Sequence, residues 1–220
     1  MTGAGEIAPV LVAAVPIGLL WGTLASGKGL SVFEAVLMSA LMFAGAAQFV
    51  AIELWHDPVP VILLTATAFI VNVRHVLMSA SLSRHIDAIP RRFHPLVAFL
   101  VVDESWALSE KRALTQPVTL AYYLGLTLPL VVCWSVSTGI GAALGRSIGD
   151  PAAYGIDFAF SALFIGILMG FWQGSRTAAV LAVSGAASAF TKLTVEGAWY
   201  IVAGGIAGAL CAAVFYREEP

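Results

Sequence analysis

Six polar residues stand inside otherwise apolar runs of this chain: Gln48, Asn72, Arg74, His75, Asp103 and Glu104. An arginine side chain keeps its proton, and a charge at bilayer depth costs roughly 2.5–3.5 kcal/mol on insertion scales. Arg74 therefore needs a counter-anion, a watery cavity or a ligand beside it. Asp103 and Glu104 either pair with Arg74 or titrate. His75 suits reversible protonation, or a hydrogen bond to a neighbouring helix as a neutral imidazole. Gln48 lies among Gly45, Ala46 and Ala47, which leave room for a ligand or for a plain interhelical hydrogen bond. A guanidinium near carboxylates and amides suits a zwitterion, whose carboxylate needs a cation and whose amine needs acceptors. The same groups also suit a purely structural ion pair.

Other chemistries lack their residues. There is no Gly-x-x-x-x-Gly-Lys-Ser/Thr to cradle nucleotide phosphates, no His-Glu-x-x-His, no Cys/His cluster at zinc spacing and no Gly-x-Ser-x-Gly elbow. No cofactor or metal is implied. His56, His85 and His94 fall in loops, and Cys133 and Cys211 read as small core residues.

These residues must be positioned by membrane helices. The 220 residues are 60% hydrophobic and only 11% charged, with mean hydropathy +0.91, against about 25% charged in a soluble domain. The chain reads as an all-α polytopic membrane bundle forming a single transmembrane domain over residues 1–220. A formal net charge of -2 gives no reason to expect nucleic acid, and no cleavable signal is expected at the N-terminus. Spans are expected at about Ile7–Ser26, Phe33–Trp55, Pro60–Ser83, Val118–Leu144, Asp157–Trp172, Thr177–Phe190 (short) and Val195–Tyr216. Pro16 should kink or break the first, and Asp157 suits an N-cap. Phe93–Ser109 reads as a re-entrant or broken segment, because only Pro95–Val102 is apolar before the Asp103-Glu104 pair.

That gives seven spans plus one broken segment. It leaves Lys28, Arg84, Arg91, Arg92, Lys111, Arg112, Arg176 and Arg217 inside, against Arg146 and Lys192 outside. The positive-inside rule then puts the N-terminus outside. Ser39-Ala-Leu-Met42 echoes Ser161-Ala-Leu-Phe164, as an inverted repeat would, although four residues in an apolar background also match by chance.

Taken together, Pro16-Ile-Gly-Leu-Leu-Trp-Gly22, Ser39-Ala-Leu-Met-Phe-Ala-Gly-Ala-Ala-Gln-Phe49, Asn72-Val-Arg-His75 and Asp103-Glu-Ser-Trp-Ala107 resemble the AzlC family. Gly155–Ala159 and Ala162–Phe164 extend the likeness, which runs from about Pro9 to Trp172. The resemblance implies a branched-chain amino acid exporter of the bacterial inner membrane. It would work as the large subunit beside a small AzlD-type membrane protein, and valine, leucine, isoleucine and methionine are the typical cargo.

The leading reading is thus an exporter of small apolar amino acids, coupled to protons. Arg74 faces the substrate carboxylate or a buried carboxylate, Gln48 and Asn72 bond the polar end, and the small residues around Gly45 shape the pocket. His75, Asp103 and Glu104 are the candidate protonation sites. The rival readings are a transporter of another small organic solute, an intramembrane enzyme using His75, Asp103 and Glu104, and an assembly subunit with no pathway. The site reading expects Gln48, Arg74, His75 and Asp103 to converge on one cavity near mid-membrane.

Overall fold

The computed structural model describes residues 2–148, 165, 169, 172, 174–195 and 199–215. Every regular element among them is helical. The order is α1 (Gly3–Gly27), α2 (Val32–Leu41), α3 (Gly45–Glu53), α4 (Val61–Leu82), a 3-10 turn (Arg91–Phe93), α5 (His94–Phe99), α6 (Asp103–Ala113), α7 (Leu120–Ile148), α8 (Ser175–Thr194) and α9 (Trp199–Phe215). Helices α1, α4, α7 and α8 are long and apolar enough to cross a membrane, and α2 and α9 are shorter apolar helices. The polytopic helical class stands.

Helices α1 and α7 form the spine, and they run parallel. Glu6 meets Tyr122, Leu11 meets Cys133, and Thr23 Oγ1 donates to the Gly141 carbonyl at 3.2 Å. Residue numbers rise together along the two helices, so their starts share one end of the bundle. Glycines allow the close approach. A Cβ at Gly22 would strike the Thr138 carbonyl, and one at Gly141 would strike the Leu19 carbonyl. Pro16 does not break α1, which continues to Gly27; packing along α7 holds the helix across the missing N–H.

The segment expected as the second span is instead a helix–break–helix hairpin. Ser31 starts α2 with a capping box, its hydroxyl accepting from the Glu34 amide at 3.2 Å while Glu34 accepts from the Ser31 amide at 2.7 Å. The helix stops at Met42 (φ -109, ψ 72), and α3 starts after Ala44 (φ -149, ψ 83). At the far end of the hairpin Lys28 Nζ donates to the Trp55 carbonyl at 3.3 Å. The chain thus leaves α1 and returns to the same end of the bundle.

Phe93–Ser109 behaves as the re-entrant reading expects. Helix α5 ends at Leu100, Val102 is extended (φ -137, ψ 167), and α6 starts at Asp103. The β-branched Val101 and Val102 suit that extended break. Arg74 pairs with Asp103 and Ser81 with Glu110, each 29 positions along the chain, so α6 runs parallel to α4. At the end of α6, Arg112 Nη1 lies 3.9 Å from Glu6 Oε1 at the start of α1. This hairpin therefore dips in from the end where α1 begins, opposite to the α2–α3 hairpin.

The result is an inverted pair: a long helix followed by a broken hairpin, used twice with opposite entrances. It relates α1–α3 to α4–α6. The Ser161–Phe164 half of the expected echo, Asp157 and the Gly155–Ala159 stretch lie outside the described residues. Orientation changes with the hairpin. Arg84, Arg91, Arg92, Lys111 and Arg112 now share the N-terminal end, against Lys28 and Arg146 at the other. For these residues the positive-inside rule favours the N-terminal end as the cytoplasmic one, the reverse of the sequence expectation. Near the C-terminus, the short span expected at Thr177–Phe190 is a 20-residue helix, α8. It packs on α9 through Ser184 Oγ to the Gly204 carbonyl at 2.9 Å and Ser188 Oγ to the Tyr200 carbonyl at 3.0 Å.

Side-specific thiol labelling checks this path. In a background with Cys133 and Cys211 replaced by serine, Thr2→Cys and Asp87→Cys should label from one face of the membrane and Asp57→Cys from the other. If Phe33–Trp55 crossed the bilayer, Thr2 and Asp57 would label together.

Candidate functional site

The polar residues assemble into two centres, one at the tip of each hairpin. At the α5–α6 tip, Arg74 Nη1 contacts Asp103 Oδ2 at 2.8 Å, with side chains 39% and 52% exposed. Asp103 opens α6, where the helix dipole favours negative charge. Ser105 fixes this turn: its hydroxyl accepts from the Val102 amide at 3.0 Å and donates to the Val102 carbonyl at 3.1 Å. Glu104 follows on the same turn and is exposed.

Near the pair, two polar groups of α4 are left over, one on Arg74 itself and one two residues before it on another face of the helix. Asn72 Oδ1 and Arg74 Nε are buried without a hydrogen-bond partner among the described residues. A buried unpaired polar group costs about 1–3 kcal/mol, so the Arg74 Nε–H is suited to a ligand that supplies the missing bond. His75 Nδ1 lies 3.2 Å from the Asn72 carbonyl, and the tautomer protonated there donates to it. Toward the N-terminal end a cavity of about 160 Å³ is lined by Ser79, Leu82, Ser83, Ile86, His94, Val97 and Ala98. Its aliphatic wall has room for a small apolar side chain.

The second centre lies at the α2–α3 tip against α7. Gln48 is 0% exposed. Its Nε2 donates to Ser39 Oγ at 3.0 Å, and its Oε1 accepts from Trp134 Nε1 at 2.9 Å. Ser39 Oγ and Thr138 Oγ1 are 3.0 Å apart. A Cβ at Gly45 would stand 3.3 Å from the Trp134 ring, so α3 lies directly on the indole. Thus Arg74 meets Asp103 and His75 meets the Asn72 backbone carbonyl, while Gln48 and Gly45 belong to this neutral, hydrogen-bonded lattice. No hydrogen bond joins the two centres among the described residues.

Sequence reasoning missed Thr138 and Trp134, which read as ordinary members of an apolar run. It also missed the clamp at the N-terminal end. There Tyr122 donates to Glu6 Oε2 at 2.6 Å, and the Arg112 guanidinium stacks 4.0 Å from the Tyr122 ring centre. Ser81 donates to Glu110 Oε1 at 2.6 Å, and His85 Nε2 lies 3.3 Å from the other oxygen of Glu110. These contacts tie α6 to α1, α4 and α7.

Comparison with known proteins matches residues 9–148 to the family described as AzlC protein. An uncharacterized membrane protein of Archaeoglobus fulgidus is 31% identical over 92% of this chain and 89% of its own length. The inner membrane protein YgaZ of Escherichia coli is 28% identical over 100% of this chain and 93% of its own. The branched-chain amino acid transport protein AzlC of Bacillus subtilis is 25% identical over 76% of this chain and 66% of its own. No solved structure matches.

Coupling between Arg74 and Asp103 is measurable. Arg74→Gln and Asp103→Asn should each lower the stability of the purified protein by leaving one charge unpaired. The double variant should recover about 0.5–1 kcal/mol relative to the sum of the two, a modest figure because both groups are partly exposed. Strictly additive losses would show that the two side chains act independently.

Proposed function

This chain belongs to the AzlC family, and on that premise we propose that it is the large subunit of an exporter of branched-chain and similar small apolar amino acids. That it is a multi-pass membrane transport protein follows from the family and the helices. The finer reading adds cargo, direction, proton coupling, a single transmembrane unit and a small AzlD-type partner in the bacterial inner membrane. The printed name of the Bacillus subtilis relative supports the cargo class.

One observation carries the reading: an Arg–carboxylate pair at a helix break, with the guanidinium's own Nε–H buried and without a partner among the described residues. A zwitterion completes this set. Its carboxylate accepts from Arg74, including the Nε–H, and its ammonium donates to Asp103. Substrate thereby replaces a protein ion pair with two charge-matched contacts, and the guanidinium is never left without an anion. The aliphatic cavity beside α5 gives a branched side chain somewhere to lie. Protonation of Asp103, with Glu104 and His75 as neighbouring proton carriers, would release the ammonium and so link cargo movement to a proton. In this reading Gln48 and Gly45 shape the far wall of the path by holding α3 against Trp134.

Vesicles containing the chain and its small partner, loaded with labelled valine, test the proposal. Efflux should exceed that of empty vesicles and respond to an imposed proton gradient. Arg74→Lys should lose at least about tenfold, because an ammonium cannot reproduce the planar fork of donors. Efflux equal to that of empty vesicles at every gradient contradicts the reading.

A further inference from the structure

The two hairpins share more than a shape. Each follows a membrane-length helix, each breaks after a short first arm, and each tip is bonded to a long helix that does not belong to its own hairpin. The α5–α6 tip is held to α4 by an ion pair, Arg74–Asp103 at 2.8 Å. The α2–α3 tip is held to α7 by an uncharged chain of bonds running from Trp134 Nε1 to Gln48, on to Ser39 and then Thr138. Ser39, Gln48 and Thr138 are each 0% exposed. The entrances of the two hairpins lie at opposite ends of the bundle.

Satisfied polar groups buried between helices hold one arrangement without the desolvation cost of a charge, and each neutral bond contributes only about 1 kcal/mol net, about fivefold, when water can replace it. The non-helical dihedrals at Met42 and Ala44 give the α2–α3 hairpin a hinge immediately beside the bonded residues. At its base, the Ser31–Glu34 box and the Lys28–Trp55 bond keep the arms anchored. Anchored feet, a hinge and a releasable tip are the parts of a gate.

We propose that the α2–α3 hairpin is the gate at the Lys28 end, and that Ser39, Gln48, Trp134 and Thr138 are its closed-state latch. The α5–α6 hairpin, latched by Arg74–Asp103, closes the opposite end. Both latches are made in this structure, so both hairpins are in their latched positions. Transport alternates between releasing one latch and releasing the other, as inverted repeats permit. This inference rests on the transport reading, but Ser39, Trp134 and Thr138 act here as positioning residues rather than as ligands to cargo.

Two measurements test it, one of them independent of cargo. With Cys133 and Cys211 replaced by serine, Ser39→Cys alone should react with an impermeant maleimide added on the Lys28 side, although Ser39 is fully buried here. Adding Trp134→Phe removes the donor to Gln48, together with the outer ring atoms that face Gly45. It should speed that labelling by about fivefold, the effect of one neutral hydrogen bond. No labelling from that side, or a rate that Trp134→Phe leaves unchanged, overturns the gate.

In the second measurement, Ser39→Cys and Thr138→Cys are combined in the complex with its partner, where mild oxidation should couple them. Valine counterflow should then fall at least tenfold and return on reduction. Oxidised protein carrying valine as fast as reduced protein, or cysteines that do not couple, overturns the proposal. If the unmodified complex carries no valine, the cargo reading fails while the labelling result still decides the gate.

Discussion

A permanent positive charge sits in the middle of a helix that must cross hydrocarbon, and the arrangement of α4 to α6 answers it. Arg74 lies on α4 too far from either end for its head group to escape easily. The chain enters the bundle along α5, breaks at Leu100–Val102 and begins a new helix at Asp103, which meets the guanidinium. That carboxylate is held in turn by its place at a helix N-terminus and by the Ser105 turn. The register repeats one layer up at Ser81 and Glu110, so the ion pair is the inner rung of a ladder between two parallel helices.

Broken helices at membrane depth free backbone groups that hydrocarbon cannot satisfy, so they survive only against other protein or beside water. Both breaks obey this. Phe43 and Ala44 in the first, and Leu100, Val101 and Val102 in the second, are buried. The α1–α7 spine makes that burial available. Glycines at the contact bring two helices close enough for side chains of α7 to reach both hairpins, through Tyr123 to the Val97 carbonyl at 2.9 Å and through Trp134 to Gln48 at 2.9 Å. Membership of the AzlC family covers this assembly of spine and hairpins, residues 9–148, while α8 and α9 lie beyond the matched residues.

Much of this was legible in the chain, and the failures have physical causes. The membrane class followed from composition, and the broken segment at Phe93–Ser109 followed from a short apolar run ending in Asp103-Glu104. The break at Met42–Ala44 was hidden because every residue there is apolar and the segment is as long as a true span; the Lys28–Trp55 and Ser39–Gln48 contacts reveal the return. At Pro16, expected to kink or break the first span, packing against α7 keeps α1 unbroken to Gly27. The inner end of α8 was cut short because Thr191, Lys192 and Thr194 dilute its apolar pattern. At the sites, charge made Arg74 and Asp103 conspicuous in sequence. Ser39 and Thr138, bonded across 99 positions, carry no such mark, because hydroxyls in membrane helices usually bond back to their own backbone.

The central claim is that Arg74 offers its guanidinium to the carboxylate of the cargo. Arginine-selective modification by phenylglyoxal, followed at the peptide containing Arg74 by mass spectrometry, measures this on the intact complex. The account predicts that valine slows modification of Arg74 in a saturable way, while valinamide, which keeps the side chain and amine but lacks the carboxylate, does not. Equal protection by both compounds, or by neither, would contradict it.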